Sequence, residues 1–144
     1  MSESSKNVSK KVGLQPGALV HIGRKKTDKV KISIINYTAD NYSFAENINP
    51  HELKDHLVDG NISWINIDGL HDTEAIASVG SLFNLHPLLL EDVLNTRHRP
   101  KLEEFDDYLF LSLKMLGIGN DNNTIIQEQI SIVIGKTWVI SFQE

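Results

Sequence analysis

The sequence predicts an α/β fold, an α/β/α layered sandwich with a mixed parallel/antiparallel sheet ending in an antiparallel meander. Strand-like alternation and helix-like periodicity follow one another through the first two-thirds of the chain. Residues 62–67 are apolar on both faces, which is typical of an inner strand covered by helices on both sides. The last third contains long alternating segments joined by short turns, which indicates the meander.

The composition fits one domain with its own hydrophobic core. The chain has 144 residues, of which 40% are hydrophobic and 23% charged. Its net charge of −5 argues against nucleic acid as a partner, and the lack of cysteine excludes disulfides and thiolate metal sites. No apolar run approaches the ~20 residues that span a bilayer, so the chain as given is expected to be soluble.

The boundaries of this domain also follow from the sequence. Residues 1–15 are polar and rich in lysine, and we expect them to form a mobile tail ahead of a domain at 16–144. The chain ends directly after an expected strand, from which we expect it to be a piece of a longer protein.

The first half is predicted to contain four strands and one helix. Strands are expected at 18–22, 30–37, 42–46 and 62–67. A helix is expected from Asn49-Pro50, a good cap followed by a good first residue, to Gly60, with Leu53 and Leu57 on its buried face.

Two helices and the meander make up the second half. Asp72 or Thr73 should cap the first of these helices, and Pro87 should begin the next one. Strands are expected at 101–105, 108–118, 124–134 and 137–142. In the strand at 124–134 one face is predicted to point inward, namely Ile126, Ile130, Ile132 and Ile134, and the other outward, namely Gln127, Gln129 and Ser131.

The helix that begins at Pro87 carries the most informative pattern. At 100° per residue, one arc collects the side chains that should be buried, namely Leu89, Leu90, Val93 and Leu94. Glu91 and Asp92 fall on the opposite arc together with Leu88, so both carboxylates are predicted to point outward beside an exposed apolar contact.

Acid pairs are the candidate chemistry of this chain. Glu91-Asp92, Glu103-Glu104 and Asp106-Asp107 lie close together in the sequence, and hard divalent cations such as magnesium prefer carboxylate oxygens. The alternative is a solvated acidic surface balanced by the basic residues of the following loop. Asp68, at the end of the strand at 62–67, is a further candidate, with a simple turn residue as the alternative. None of the six histidines forms a helical zinc pair.

The same region resembles a known family. The stretches His86-Pro87-Leu88-Leu89-Leu90-Glu91-Asp92-Val93-Leu94-Asn95, Arg99-Pro100-Lys101, Phe105-Asp106-Asp107-Tyr108 and Leu113-Lys114-Met115 are similar to the N-terminal cytoplasmic domain of CorA-type magnesium and cobalt transporters. Flanking pieces at 13–20, 64–69 and 137–144 agree, so the resemblance covers nearly the whole chain from about residue 10.

The resemblance implies a transporter rather than an enzyme. It implies a homopentamer in the inner or plasma membrane, whose subunits each have a cytoplasmic α/β/α domain, a stalk helix and two transmembrane helices. This chain lacks the Gly-Met-Asn motif of the family's pore, and would therefore be the cytoplasmic regulatory domain alone.

The resemblance also implies a regulatory metal site between neighbouring subunits. Asp92 would be the main ligand for Mg2+ and Glu91 the accessory one, with partner acids on the neighbour's stalk helix. Mg2+ would favour the closed pentamer, Co2+ is a second candidate ion, and binding to this domain alone should be weak. Arg97 stands where some relatives carry histidine.

Two other functions remain open from the residues themselves. One is a metal-dependent phosphoryl-transfer enzyme in which Asp68 and the Glu91-Asp92 pair meet in a concave pocket. The other is an interaction module without a metal. The arrangement of these acids in space distinguishes the possibilities.

Overall fold

A seven-stranded mixed sheet forms the centre of the computed structural model, which describes residues 13–23, 25–120 and 123–144. Its strands are β1 (Lys31–Tyr37), β2 (Tyr42–Glu46), β3 (Ile62–Asp68), β4 (Lys101–Glu104), β5 (Leu109–Ile118), β6 (Ile125–Ile134) and β7 (Trp138–Gln143). They lie in the order β2-β1-β3-β7-β6-β5-β4. The β3–β7 pair is parallel, while β1–β2, β1–β3 and the meander from β4 to β7 are antiparallel. The predicted mixed α/β sheet with a terminal meander is therefore confirmed.

Two helices, α1 (Thr73–Leu82) and α2 (Pro87–Leu94), connect β3 to β4. Their apolar sides join one face of the sheet in a single core, which includes Ile65, Ile140 and Phe142, all fully buried. Asp72 caps α1 as the sequence predicts, because its carboxylate accepts hydrogen bonds from the amides of Glu74 and Ala75. We call this side of the sheet the helix face.

The opposite side, which we call the open face, is apolar and poorly covered within the described residues. Trp64 on β3 is 45% exposed, whereas its neighbour Ile65 on the helix face is fully buried. The open face also exposes a group of aliphatic side chains, namely Leu109, Leu113, Met115, Ile126 and Ile134. The prediction that residues 62–67 are covered on both sides was therefore wrong for the described chain.

The inward face of β6 is the reverse of the one predicted. Gln129 and Ser131 are buried on the helix face beside Val133, and Ile134 is 41% exposed on the open face. Val133 pairs with Phe110, and both side chains belong to the core that the helices cover. Gln129 and Ser131 share the face of Val133, so they also lie on the helix face. Alternation identifies two faces of a strand but does not say which one the helices cover.

Of the elements predicted in the first half, one strand is absent and the helix is shorter than predicted. Residues 18–22 form no strand, and only Ile22 makes a bridge, to Asn95. The predicted helix at 49–60 is a single 3-10 turn, Leu53–His56. The Asn49 side chain accepts a hydrogen bond from the His51 amide, as a helix cap does, but no longer helix follows it.

The remaining strand predictions are confirmed to within a few residues, including β2 at its predicted limits. The helix α2 begins at Pro87 as predicted. Residues 1–12 of the predicted tail lie outside the described residues.

Candidate metal centre on the second helix

The residues of its own first turn stabilise the start of the helix α2. The Nδ1 atom of His86 accepts a hydrogen bond from the Leu88 amide at 3.1 Å, and Pro87 occupies the first helical position. The four side chains that the sequence assigned to the buried arc are at most 5% exposed, and Leu88 is 46% exposed on the other side. The predicted orientation of the helix is therefore confirmed, and it directs Glu91 and Asp92 away from the core.

Asp92 nevertheless does not point freely into solvent. Its side chain is 16% exposed, and its two carboxylate oxygens face the Lys101 ammonium group and the His98 ring. The Lys101 Nζ atom lies 2.5 Å from Oδ2, and the His98 Nε2 atom lies 2.9 Å from Oδ1. Both partners come from the segment that follows α2, so this segment folds back over the acid.

Glu91 is held by the segment that precedes β1. Its Oε2 atom accepts a hydrogen bond of 2.7 Å from the amide of Gly17. At Gly17 the φ angle is +85°, and an added Cβ would lie 3.0 Å from the Cβ of Pro87, so this position requires glycine. Both acids are thus half-buried and already engaged, rather than fully exposed as the helical pattern predicts.

Lys101 carries a persistent positive charge at this site. Burial by itself would lower the pKa of Lys101, but the hydrogen bonds and charges of Asp92 and Glu103 offset burial and raise that pKa above 10.5. By contrast, burial lowers the pKa of Lys114, whose ammonium donates to the neutral oxygens of Thr96 and Gln129.

Sequence reasoning missed the contacts of His98 and Gly17 with the acid pair, and it placed Lys101 only among the basic residues, with Arg97 and Arg99, that balance the acids. Lys101 lies nine positions after Asp92 and Gly17 lies 74 positions before Glu91, so no helical spacing connects these pairs. The available signal was the charge balance between the acid pairs and the basic loop, which identifies the class of partner but not the individual residue.

Asp68 lies on the other side of the sheet. Its carboxylate accepts hydrogen bonds from Asn66, at 3.2 Å, and from Gln143, both on the open face, whereas Asp92 belongs to α2 on the helix face. These acids do not meet in one pocket, which is what the enzyme alternative requires. Within the described ranges, no three side chains of His, Cys, Asp or Glu type come together as a possible metal site.

A model of the family described as "CorA-like Mg2+ transporter protein" matches residues 59–144, a stretch that includes α2 and its acids. The chain belongs to this CorA-like family. The family is one of transporters, and this supports the transporter prediction against the enzyme alternative.

A curated relative and two solved structures extend the CorA-like comparison. The chain is 36% identical over 139 residues to the cobalt/magnesium transport protein CorA of Thermotoga maritima, covering 96% of this chain and 39% of that protein. The chain thus spans well under half the length of that relative. The soluble domain of CorA from Methanocaldococcus jannaschii aligns with a TM-score of 0.54 at 14% identity, over 76% of this chain and 39% of that chain. The full-length CmaX protein aligns with a TM-score of 0.59 at 15% identity, over 83% and 36%.

These two structures establish the fold only. Among the residues that the structure describes, no helix has the length and apolar character needed to cross a membrane.

Proposed function

We propose that this chain is the cytoplasmic magnesium-sensing domain of a CorA-type transporter of magnesium and cobalt. The observation that carries the proposal is the position of Asp92. It is a half-buried acid on a rigid helix, beside the exposed side chain of Leu88, within the stretch that the family model matches. In the proposed assembly the domain lies on the cytoplasmic side of the inner or plasma membrane.

The chemistry of the two acids suits magnesium. Mg2+ takes oxygen ligands, retains several waters and binds through one or two carboxylates, so Asp92 with Glu91 as the accessory ligand would supply half of such a site. The remaining acids would come from a neighbouring subunit of a homopentamer. An ion held between two acidic surfaces removes their mutual repulsion, and so lowers the free energy of the closed assembly relative to the open one.

The proposal is tested in the full-length protein by the substitution Asp92→Ala. We expect the Mg2+ concentration for half-maximal closure to rise about tenfold, equivalent to ~1.4 kcal/mol of coupling free energy. Closure is measured as Mg2+-dependent inhibition of ion uptake into vesicles. Asp106→Ala is the matched control, because Asp106 is an exposed acid in the β4–β5 turn. Equal inhibition of the wild type and Asp92→Ala would rule out Asp92 as the sensor.

The exposed apolar side chains of the open face support a second proposal, that further helices cover this side of the sheet. Exposed apolar surface of this extent marks an interaction surface, and the Thermotoga relative is more than twice as long as this chain. We propose that helices from the remainder of such a longer protein cover the open face and complete the α/β/α sandwich. In a Trp138→Phe background, Trp64 fluorescence should shift to the blue in the longer protein relative to this chain, whereas identical spectra would contradict this layer.

A further inference from the structure

The contacts of Asp92 raise a question about how a metal ion could reach it. Both of its carboxylate oxygens lie within 3 Å of a nitrogen atom, Oδ2 of the Lys101 ammonium group and Oδ1 of the His98 ring. An ammonium group and a divalent cation cannot occupy the same side of one carboxylate oxygen, because they repel each other strongly at such short distances. The contact at Oδ2 must therefore change before a metal ion can bind there.

Lys101 has a second acid within reach. Its Nζ atom lies 3.0 Å from the Oε2 atom of Glu103. Lys101 and Glu103 are two positions apart on β4, so their side chains stand on the same side of the strand. The Glu103 side chain is 45% exposed, whereas that of Asp92 is 16% exposed. The ammonium group thus lies between a half-buried acid and an exposed one, and it also lies 5.6 Å from the ring centre of Phe110.

We propose that Lys101 is a tethered competitor for the metal ion at Asp92. Its ammonium group holds Asp92 when no ion is present, and it transfers to Glu103 when the ion takes the Oδ2 position. This inference rests on the proposed function, in which Asp92 is the main ligand. Its consequence is regulatory: Lys101 weakens the affinity of the site, and Glu103 partly restores that affinity by providing an alternative partner for the lysine.

This role differs from a purely structural salt bridge. If Lys101 only held Asp92 in position, removal of the lysine would leave metal binding unchanged or weaker, because the acid would lose its orientation. A competing cation predicts effects of opposite sign for substitutions of Lys101 and of Glu103. Loss of Lys101 should tighten metal binding, and loss of the Glu103 charge should weaken it.

The experiment is an NMR titration of this chain with MgCl2, following the amide signals of α2 in the wild type and the variants. Lys101→Met retains the length of the side chain and removes its charge. We expect its dissociation constant for Mg2+ to fall about tenfold, and that of Glu103→Gln to rise about threefold. Lys136→Met is the matched control, since Lys136 is an exposed lysine in the β6–β7 turn; it makes the same change in net charge and should alter the constant less than twofold.

Asp92→Asn separates this inference from the function on which it rests. If Asp92→Asn abolishes the response but Lys101→Met binds no more tightly than the wild type, the competitor role is overturned and the ligand role of Asp92 stands. If Mg2+ shifts the α2 signals in none of the proteins, including Lys101→Met, the competitor role is overturned, and the ligand role of Asp92 is decided by the Asp92→Ala inhibition assay in the full-length protein. Should Lys101→Met not fold, the Glu103→Gln arm decides, because tighter or unchanged binding in that variant contradicts the proposal.

Discussion

The two faces of the sheet differ in how well the rest of the described chain covers them. On the helix face, α1 and α2 bury a continuous core, and Asp92 lies at its margin between Lys101 and His98. On the open face, apolar side chains stay exposed, and Asp68 is held by the neutral amides of Asn66 and Gln143. Both acids are partly buried, so what distinguishes them is the charge of their partners. A cation beside a carboxylate can be replaced by a metal ion, whereas amide donors mainly fix the carboxylate in place.

The largest expected effect compares one residue type on the two faces. Ile140→Ala removes a fully buried side chain and should lower the free energy of unfolding by about 2–5 kcal/mol. Ile134→Ala, at a site that is 41% exposed, should cost about 1 kcal/mol or less. Urea denaturation followed by circular dichroism measures both. Equal losses would mean that the open face is as well packed as the helix face.

A smaller effect is expected at the acid of the open face. Asp68→Asn keeps the shape of the side chain but replaces one acceptor oxygen by a donor, so it should cost about 1 kcal/mol in the free energy of unfolding. Because Asp68 has no part in the proposed metal site, the substitution should leave the Mg2+ affinity unchanged. A loss of Mg2+ response in Asp68→Asn would move the site to the open face.

The smallest effect is in the pH dependence of stability. The pKa of Lys101 is raised above 10.5 in the folded chain by its acidic partners, so its stabilising contribution is present below pH 10.5 and is lost as the pH rises through the raised pKa. Burial lowers the pKa of Lys114, so the charged form of that residue costs stability until the pH passes its lowered pKa.

These opposite signs can be separated by denaturation at a series of pH values. The difference in the free energy of unfolding between the wild type and Lys101→Met should shrink as the pH rises past 10.5. For Lys114→Met, the free energy of unfolding of the wild type should begin to rise relative to the variant at a lower pH. A constant difference for Lys101→Met would show that its ion pairs add nothing to the folded state.

The sequence predicted the local elements of both faces but not their coverage. The arc of α2 was predictable because four apolar side chains at helical spacing leave one orientation for Glu91 and Asp92. The exposure of the isoleucines of β6 was not, since alternation does not identify the face on which helices pack. The helix expected at 49–60 is reduced to one 3-10 turn although Asn49 makes the hydrogen bond of a cap, so a capping signal alone does not predict the length of a helix.

The candidate site was predictable in the same partial way. The acid pair and the family resemblance give Asp92 and Glu91 as predicted ligands from the sequence. The engagement of Asp92 by Lys101 and His98 depends on how the loop after α2 folds back, and that of Glu91 depends on a segment 74 positions away. Neither contact follows from a repeat or a spacing within one element.

The most direct test of the central claim, that this chain's metal site is at Asp92 on the helix face, uses Mn2+ as a paramagnetic probe. Mn2+ shares the preference of Mg2+ for carboxylate oxygens and broadens nearby NMR signals. Titration of this chain with substoichiometric MnCl2 should selectively broaden the amide signals of Glu91, Asp92 and Lys101, and excess MgCl2 should restore them. Selective broadening around Asp68, or around Asp106 and Asp107, with sharp signals at Asp92 would contradict the claim.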